Sequence, residues 1–127
     1  MDKLIKVSAD QILIASKVVY ADTPQLRKKG VLGRQALGTD EGVLLVMPER
    51  PGLSLLYSIH MFGVPFTLAV AWLDKNGQIL DVKLAKPGRM YFPSGLFTDT
   101  AYILELHSDH LSQLQKTTQI HWEDSRD

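Results

Sequence analysis

The chain of 127 residues contains no cysteine, which excludes disulfide bonds, thiolate nucleophiles and zinc sites built from cysteine. Neither charge is in excess, because 14 lysine and arginine residues balance 14 aspartate and glutamate residues. A chain without net charge produces no overall electric field that would attract nucleic acid or an anionic membrane. We therefore expect neither nucleic acid nor a membrane as a partner.

Long hydrophobic runs are also missing. The longest apolar run, Leu68–Leu73, is far shorter than the roughly 20 residues that cross a bilayer as a helix. The N-terminal residues lack the basic region, apolar segment and cleavage site of a secretory signal. We therefore expect a soluble, cytoplasmic protein. With 45% hydrophobic residues the chain can fill one core, and its length predicts a single domain over residues 1–127.

Short apolar runs recur at regular intervals, and each ends at Gly, Pro, Asp or Asn, which is typical of a β-rich domain. About eight strands are expected by this criterion. The runs cover residues 4–7, 11–20, 43–47, 55–61, 66–73, 79–85, 90–92, 101–106 and 118–122. This pattern predicts a β-rich α+β fold with a twisted, partly closed antiparallel barrel-like sheet. One or two short helices would pack against its open side.

One short helix has clear signals at both of its ends. Thr23 is suited to the N-cap, Pro24 to the first helical position and Gly30 to the C-terminal stop. The three basic residues 27–29 fall in the last turn, where positive charge is favourable. We interpret this basic run as the solvated face of a helix of about two turns.

The dipeptide Asn76-Gly77 between two apolar runs predicts a β-hairpin with a type I′ turn, which needs positive φ at both central residues. This turn would place Leu73 opposite Leu80 and Ala71 opposite Val82. Leu73 and Ala71 would then face the core. A longer loop with a bulge would shift this pairing.

Three stretches carry a family resemblance: "RKKGVLGRQALGTDEGVLLVMP", "IHMFGVPFTLAVAWLDKNGQILDVK" and "AYILELHSDHLSQL". Together they resemble the domain of unknown function 192 family over about residues 23–122. The matching positions are Arg27, Gly30, Val31, Leu32, Arg34, Glu41, Gly42, Ile59, His60, Phe62, Gly63, Phe66, Val70, Leu73, Asp74 and Gly77. The family has no settled activity, so the resemblance implies a fold more than a function.

Two departures from the family pattern affect this expectation. Members usually have "PID" where this chain has Thr67, Leu68 and Ala69, so the acidic residue of that strand is absent. Members also often carry Gly and Asp before the last strand, whereas this chain reads "KTTQIHW". If the strand carboxylate performs chemistry in relatives, this chain lacks it at Ala69.

His60 is the candidate catalytic residue, because an imidazole can donate, accept or titrate near neutral pH. The alternative is a structural role, in which His60 donates a hydrogen bond to a backbone carbonyl and orders the loop before Phe66. A lone histidine without a paired base favours this structural role. Possible partners at strand ends or in loops are Arg34, Asp40, Glu41 and Asp74.

Arg34, Glu41 and His60 are the candidate ligand-binding residues. Arg34 could hold an anionic ligand, or it could form an ion pair with Asp40 or Glu41 that fixes the loop after the helix. Neighbouring strand residues point to opposite faces, so Asp40 and Glu41 do not form a catalytic acid pair. We interpret the residues before Gly42 as a turn in which this glycine supplies an unusual backbone angle.

The sequence contains no metal-ligand spacing, phosphate loop or dinucleotide motif, and we expect no metal and no cofactor. The leading hypothesis is a non-enzymatic ligand- or protein-binding or accessory module, whose partner is an unknown small molecule or protein. The alternative is a small hydrolase- or lyase-like enzyme. In that enzyme His60 acts as general acid or base, Arg34 holds an anionic group and Glu41 orients the histidine, so all three would converge on one pocket.

Overall fold

A computed structural model of the chain describes residues 2–48 and 52–125. In chain order the strands are β1 (Leu4–Ala9), β2 (Ile12–Ala21), β3 (Glu41–Val46), β4 (Gly52–Leu53), β5 (Ile59–His60), β6 (Leu68–Leu73), β7 (Ile79–Ala85), β8 (Met90–Tyr91), β9 (Phe97–Thr98), β10 (Tyr102–His107) and β11 (Ile120–Asp124). The helices are α1 (Pro24–Lys29) and α2 (Leu111–Gln115), with 3₁₀ turns at Ser54–Tyr57 and Ser108–His110. This content confirms a β-rich α+β protein.

Seven strands form the main sheet in the order β11-β1-β2-β3-β10-β6-β7. Neighbouring strands are antiparallel except β2 and β3, which are parallel. Parallel neighbours need a crossover connection of about a dozen residues or more, and α1 with the loop after it provides this connection. The predicted antiparallel sheet is therefore correct for every pair but this one.

The two edges of the sheet meet at one end. Gln78 at the start of β7 pairs with Gln119 before β11 as an isolated antiparallel bridge. The Ile79 N–H donates to the Thr118 carbonyl at 2.9 Å, and the Ile120 N–H donates to the Gly77 carbonyl at 2.9 Å. The sheet is thus curled and partly closed, as the sequence pattern predicts.

Apolar side chains cover both faces of the central strands and make two separate cores. The barrel core lies inside the curl, because six strands of the main sheet and α2 contribute to it. It contains Ile5, Val7, Ala9, Ala15, Val18, Leu44, Ala69, Ala71, Leu73, Leu104, Leu106, Leu114 and Ile120. The outer core covers the opposite face with Ala21, Val31, Leu37, Val43, Leu45, Tyr57, Ile59, Met61, Val64, Leu68, Val70, Trp72, Ala85 and Ile103.

The helix α1 has the predicted ends. The Thr23 hydroxyl accepts a hydrogen bond from the Leu26 N–H at 3.2 Å, and the Gly30 N–H donates to the Leu26 carbonyl at 2.9 Å. Gly30 has φ +46°, a conformation that favours glycine. The two α-helices contain six and five residues. Within residues 2–48 and 52–125, no helix has the length and apolar character that a membrane crossing requires.

The chain between residues 55 and 61 differs from the predicted strand. It forms the 3₁₀ turn Ser54–Tyr57 and then the two-residue strand β5. The indole N–H of Trp72 donates to the Tyr57 carbonyl at 2.8 Å, so a hydrogen bond to the sheet holds the turn in place. Tyr57 and Ile59 are buried on the outer face of the sheet, and this packing outweighs the local preference for an extended strand.

The hairpin turn between β6 and β7 is three residues long and is not type I′. The Gly77 N–H donates to the Asp74 carbonyl at 3.0 Å, and the Asp74 N–H donates to the Gln78 carbonyl at 3.0 Å. Gly77 has φ +81°, whereas Asn76 has a negative φ. The Asp74 carboxylate stabilises this three-residue loop, because it accepts hydrogen bonds from the N–H groups of Asn76 and Gln78.

The longer loop shifts the predicted pairing at one end. Ala71 lies opposite Val82 as predicted, but Leu73 lies opposite Ile79 and not opposite Leu80. An irregularity between Trp72 and Leu73 leaves Leu80 as the extra residue, with 43% of its surface exposed. The predicted pairing of Leu73 with Leu80 is therefore wrong.

Gly42 is part of β3 and not of a turn, so its predicted unusual backbone angle is wrong. The glycine is required by a close approach of strands. A Cβ atom at Gly42 would lie 2.5 Å from Leu106 Cδ2 and 2.6 Å from the Glu105 carbonyl oxygen. β3 and β10 therefore pack at a separation that leaves no room for a side chain at this position.

Candidate functional site

A cleft of about 190 Å³ lies between α1 and β5, on the outer face of the sheet. Residues 27–32, from the last turn of α1 and the loop after it, form one wall. Residues 58–61, which include β5, form the other wall. Leu45, Val64 and Glu105 complete the lining. The cleft is thus built by the crossover connection and the irregular segment that together cover the central strands.

Glu105 is the chemically unusual residue of this cleft. It lies on β10, opposite Val43 of β3 and Val70 of β6, and only 6% of its surface is exposed. Among the described residues, its Oε1 atom is buried and has no hydrogen-bond partner. Burial raises the pKa of the Glu105 carboxyl to about 7, because a charged carboxylate is poorly solvated there.

Strand alternation places Glu105 on the cleft side. Ile103 belongs to the outer core, whereas Leu104 and Leu106 belong to the barrel core, so Glu105 shares the face of Ile103. Gly30 lies close to the carboxyl group, and a Cβ atom there would be 3.4 Å from Glu105 Oε1. The glycine that ends α1 therefore keeps a bulky side chain away from this oxygen.

The basic run of α1 borders the same cleft. Lys28 and Lys29 are exposed, as expected for a solvated helix face. Arg27 is half-buried, and its Nη1 atom donates a hydrogen bond to the Val46 carbonyl at 3.1 Å. Three basic residues and one buried acid therefore line the same cleft, although the chain as a whole has no net charge. Local charge at this site is positive.

His60 lines the cleft from the β5 side and is exposed to solvent. Its ring stacks on Phe62, with 5.3 Å between centroids and an interplanar angle of 21°. Within the described part of the chain, the imidazole has this ring contact rather than the predicted hydrogen bond to a backbone carbonyl. Its position leaves the ring accessible to a molecule in the cleft.

Arg34 and Glu41 are placed together, away from the lining of this cleft. Arg34 Nη1 lies 3.8 Å from Glu41 Oε2, and Glu41 Oε1 accepts a hydrogen bond from the Gly38 N–H at 2.7 Å. Asp40 points elsewhere and accepts hydrogen bonds from the backbone and side chain of Ser16, which lower the pKa of its carboxyl group. This geometry matches the alternative in which Arg34 fixes the loop. Convergence of Arg34, Glu41 and His60 is not found at this cleft.

The described residues contain no group of three His, Asp or Glu side chains that could hold a metal ion. His107 Nδ1 accepts a hydrogen bond from the Asp109 N–H at 3.0 Å, and His110 Nε2 lies 2.6 Å from the Thr39 carbonyl oxygen. These two histidines therefore make separate local contacts near the start of α2.

The sequence profile of the domain of unknown function 192 family, described as uncharacterised ACR proteins, matches residues 5–122. The chain belongs to this family. The match begins before residue 23, where the resemblance in the sequence starts, and therefore includes β1 and β2. The first two strands are thus part of the family's fold.

Curated relatives carry the family-level name UPF0127 protein and no activity. The protein from Thermococcus sibiricus is 30% identical over 89 residues, which cover 70% of this chain and 53% of the relative. The protein from Thermococcus kodakarensis is 32% identical over 77 residues, which cover 61% of this chain and 46% of the relative. The chain thus spans about half the length of the curated relatives it matches.

Two crystal structures share the fold. A protein of unknown function from Novosphingobium aromaticivorans has a TM-score of 0.69 and 15% identity, covering 94% of this chain and 82% of that chain. A putative transcription regulator from Sinorhizobium meliloti has a TM-score of 0.69 and 20% identity, covering 98% of this chain and 97% of that chain. At these identities the likeness extends to the fold alone.

Ala69, the position where the resemblance to the family implies an acid, lies on the other side of the sheet from the cleft. It is fully buried in the barrel core, and its register partner on β10 is Leu106. Glu105 faces the outer side of the same sheet. The missing family acid therefore does not change the lining of the cleft.

Glu105 is the site residue that the sequence analysis missed. The signal was a single acid inside the otherwise apolar run of residues 102–106, between Leu104 and Leu106. An acid at a buried strand position is costly unless it has a partner or a function, so this position could have been marked. The sequence could not show that Glu105 lies near the end of α1, because α1 is distant from β10 in the chain.

Proposed function

We propose that this protein is a non-enzymatic binding module that holds a small molecule in the cleft between α1 and β5. The observation that carries the proposal is the buried Oε1 atom of Glu105, which has no hydrogen-bond partner among the described residues. A buried polar atom without a partner costs about 1–3 kcal/mol, so a bound molecule that donates a hydrogen bond to the Glu105 carboxyl group, which lines the cleft, would be favoured. In ligand pockets, a few polar groups of the protein in an otherwise apolar lining fix the orientation of the bound molecule.

The proposed site keeps one of the three candidate ligand-binding residues. His60 remains because it lines the cleft and its ring is exposed there. Arg34 and Glu41 are engaged with each other outside the lining, so we assign them to the stability of the loop. Glu105 and the cations of α1 take their place as the proposed polar contacts.

Thermal unfolding of the full chain against a broad panel of metabolites tests this function. A compound that binds the folded state raises its stability, by about 2.7 kcal/mol at a concentration 100 times its Kd. We expect at least one compound to raise the Tm of the native protein and to have little effect on Glu105→Gln. Glu123→Gln is the matched control, because it makes the same change on an exposed residue of β11 and should respond like the native protein. If no compound gives a shift that depends on Glu105, the binding function is wrong.

A small hydrolase- or lyase-like enzyme is the second candidate. It is favoured by one observation: His60 and Glu105 line the same cleft, and the Glu105 pKa of about 7 suits a general acid or base. The test is turnover of ester, amide and carbon–oxygen lyase substrates. We expect Glu105→Gln and His60→Asn each to lower kcat by about 10² or more if this function holds. Equal turnover by the variants would exclude it.

A further inference from the structure

We infer that the ligand of this cleft is a small anion that also carries a hydroxyl group, with the hydroxyl at Glu105 and the anionic group at the basic end of α1. This inference rests on the proposed binding function and names its ligand class. Hydroxy-carboxylates and phosphorylated polyols share this chemistry.

The inner part of the cleft accepts a neutral polar group. Besides Glu105, the cleft is lined by the buried apolar side chains of Leu45, Ile59, Met61 and Val64. A hydroxyl suits Glu105 in either protonation state, because it can donate to a carboxylate or exchange hydrogen bonds with a neutral carboxyl group. An ammonium group would fit less well, since burial of a charge is costly and the cleft lining already contains three basic residues.

The mouth of the cleft favours an anion. Arg27, Lys28 and Lys29 are consecutive, and all three line the cleft. Arg27 uses its Nη1 atom on the Val46 carbonyl, but a guanidinium group has five N–H donors in all. Glu105 is the one acid in this lining. At a pH near its pKa of about 7, its carboxyl group is protonated and uncharged in half of the molecules. A carboxylate or phosphate group would therefore meet net positive charge.

The size of the cleft limits the ligand. The volume of the cleft is about 190 Å³. Typical sites for larger ligands measure about 300–1,000 Å³. This volume favours a molecule with a short carbon chain over one the size of a nucleotide.

Four probes separate the two halves of the inferred ligand. Lactate and glycerol 3-phosphate each combine a hydroxyl with an anionic group, propionate lacks the hydroxyl, and glycerol lacks the anion. We expect lactate, glycerol 3-phosphate or both to bind by calorimetry and to raise the Tm. Propionate and glycerol should bind at least about tenfold more weakly, because each leaves one set of protein groups without a partner. Binding of one hydroxy-anion alone would identify the carboxylate or the phosphate as the natural anionic group.

Variants locate the two contacts. Glu105→Gln should weaken binding of the hydroxy-anion and leave weak propionate binding unchanged. The double change Lys28→Gln and Lys29→Gln should weaken the binding of all anions. It should not affect folding, since both side chains are exposed. Lys75→Gln removes the same kind of charge at the exposed hairpin turn and should have no effect.

The outcomes keep this inference separate from the proposed function. If ethanolamine or an uncharged sugar gives a shift that depends on Glu105 while the hydroxy-anions do not, the ligand class is wrong and the binding function stands. Equal binding of propionate and lactate also overturns the ligand class. If neither the four probes nor the broad panel gives a shift that depends on Glu105, both proposals fail.

Discussion

Glu105 lies on the outer face of β10 between Val43 and Val70, which cannot solvate a charge. The free energy of unfolding therefore depends on whether this carboxyl group carries its proton. In the unfolded chain its pKa has the ordinary value of 4.5, and in the folded protein burial raises the pKa to about 7. Between these two pH values the folded state holds a proton that the unfolded state has released, so stability falls as pH rises.

Glu105→Gln should remove this pH dependence. The interval from 4.5 to about 7 corresponds to about 3 kcal/mol at roughly 1.36 kcal/mol per pH unit. We expect the native protein to be less stable than Glu105→Gln by up to this amount at pH 8, and the two to be similar at pH 4. Urea denaturation at both pH values measures the difference. Glu123→Gln should follow the native protein, and a difference between native and Glu105→Gln that does not change with pH would show that another group satisfies the carboxylate.

At the scale of elements, the contact between β3 and β10 positions Glu105. Gly42 lets the two strands approach, because a Cβ atom at this position would overlap the Glu105 carbonyl oxygen and the Leu106 side chain. β3 also carries Leu45 into the cleft, and α1 is connected to β3 by the crossover loop. The strand separation at Gly42 thus affects the site as well as the sheet.

Gly42→Ala should destabilise the protein by about 1–3 kcal/mol, because backbone atoms must move to admit the methyl group. The matched control is Gly52→Ala, whose Cβ atom would come closest to the exposed side chain of Leu56, at 3.1 Å from Cδ1. That side chain is flexible and can move aside at little cost. Urea denaturation compares the two variants, and equal stability would mean that the close approach of β3 and β10 is not a constraint.

At the scale of the whole molecule, the short junction between β7 and β11 closes the curled sheet at one end. The backbone hydrogen bonds donated by Ile79 and Ile120 are two of the links between the two sheet edges. Gly77 lies against this junction, since a Cβ atom there would be 2.5 Å from the Ile120 carbonyl oxygen. The stability of the junction can therefore be tested separately from that of the sheet centre.

Gly77→Ala should open this junction. We expect the amide hydrogens of Ile79 and Ile120 to exchange at least about tenfold faster, with the central Leu104 amide much less affected, because local opening does not require global unfolding. Gly88→Ala is the control for backbone strain, because Gly88 also has positive φ, +76° against +81° at Gly77. Beyond its chain neighbours, no atom of the described residues lies within 4 Å of its Cβ position. Unchanged exchange at Ile79 and Ile120 would contradict a role for Gly77 in closure.

The sequence alone determined the features that depend on neighbouring residues. Thr23 and Gly30 end α1 as predicted, because capping hydrogen bonds join groups within one turn of the helix. The β-rich class and the partly closed sheet followed from the spacing of apolar runs, and the family membership from motifs over most of the chain. Even the hairpin was located correctly, although its loop type was not.

Only the tertiary structure decided which distant segments meet. The parallel pairing of β2 with β3 and the closure at Gln119 depend on contacts between segments far apart in the chain, which local patterns do not encode. The same holds for the cleft, because Glu105 becomes a buried acid, with no partner for its Oε1 atom among the described residues, only when α1 and β5 cover β10. The sequence marked His60 as chemically versatile, and the fold placed it in the lining of the same cleft as Glu105, whereas Arg34 lies outside that lining. Packing between distant segments determined this arrangement, and the burial that it produces raises the pKa of Glu105.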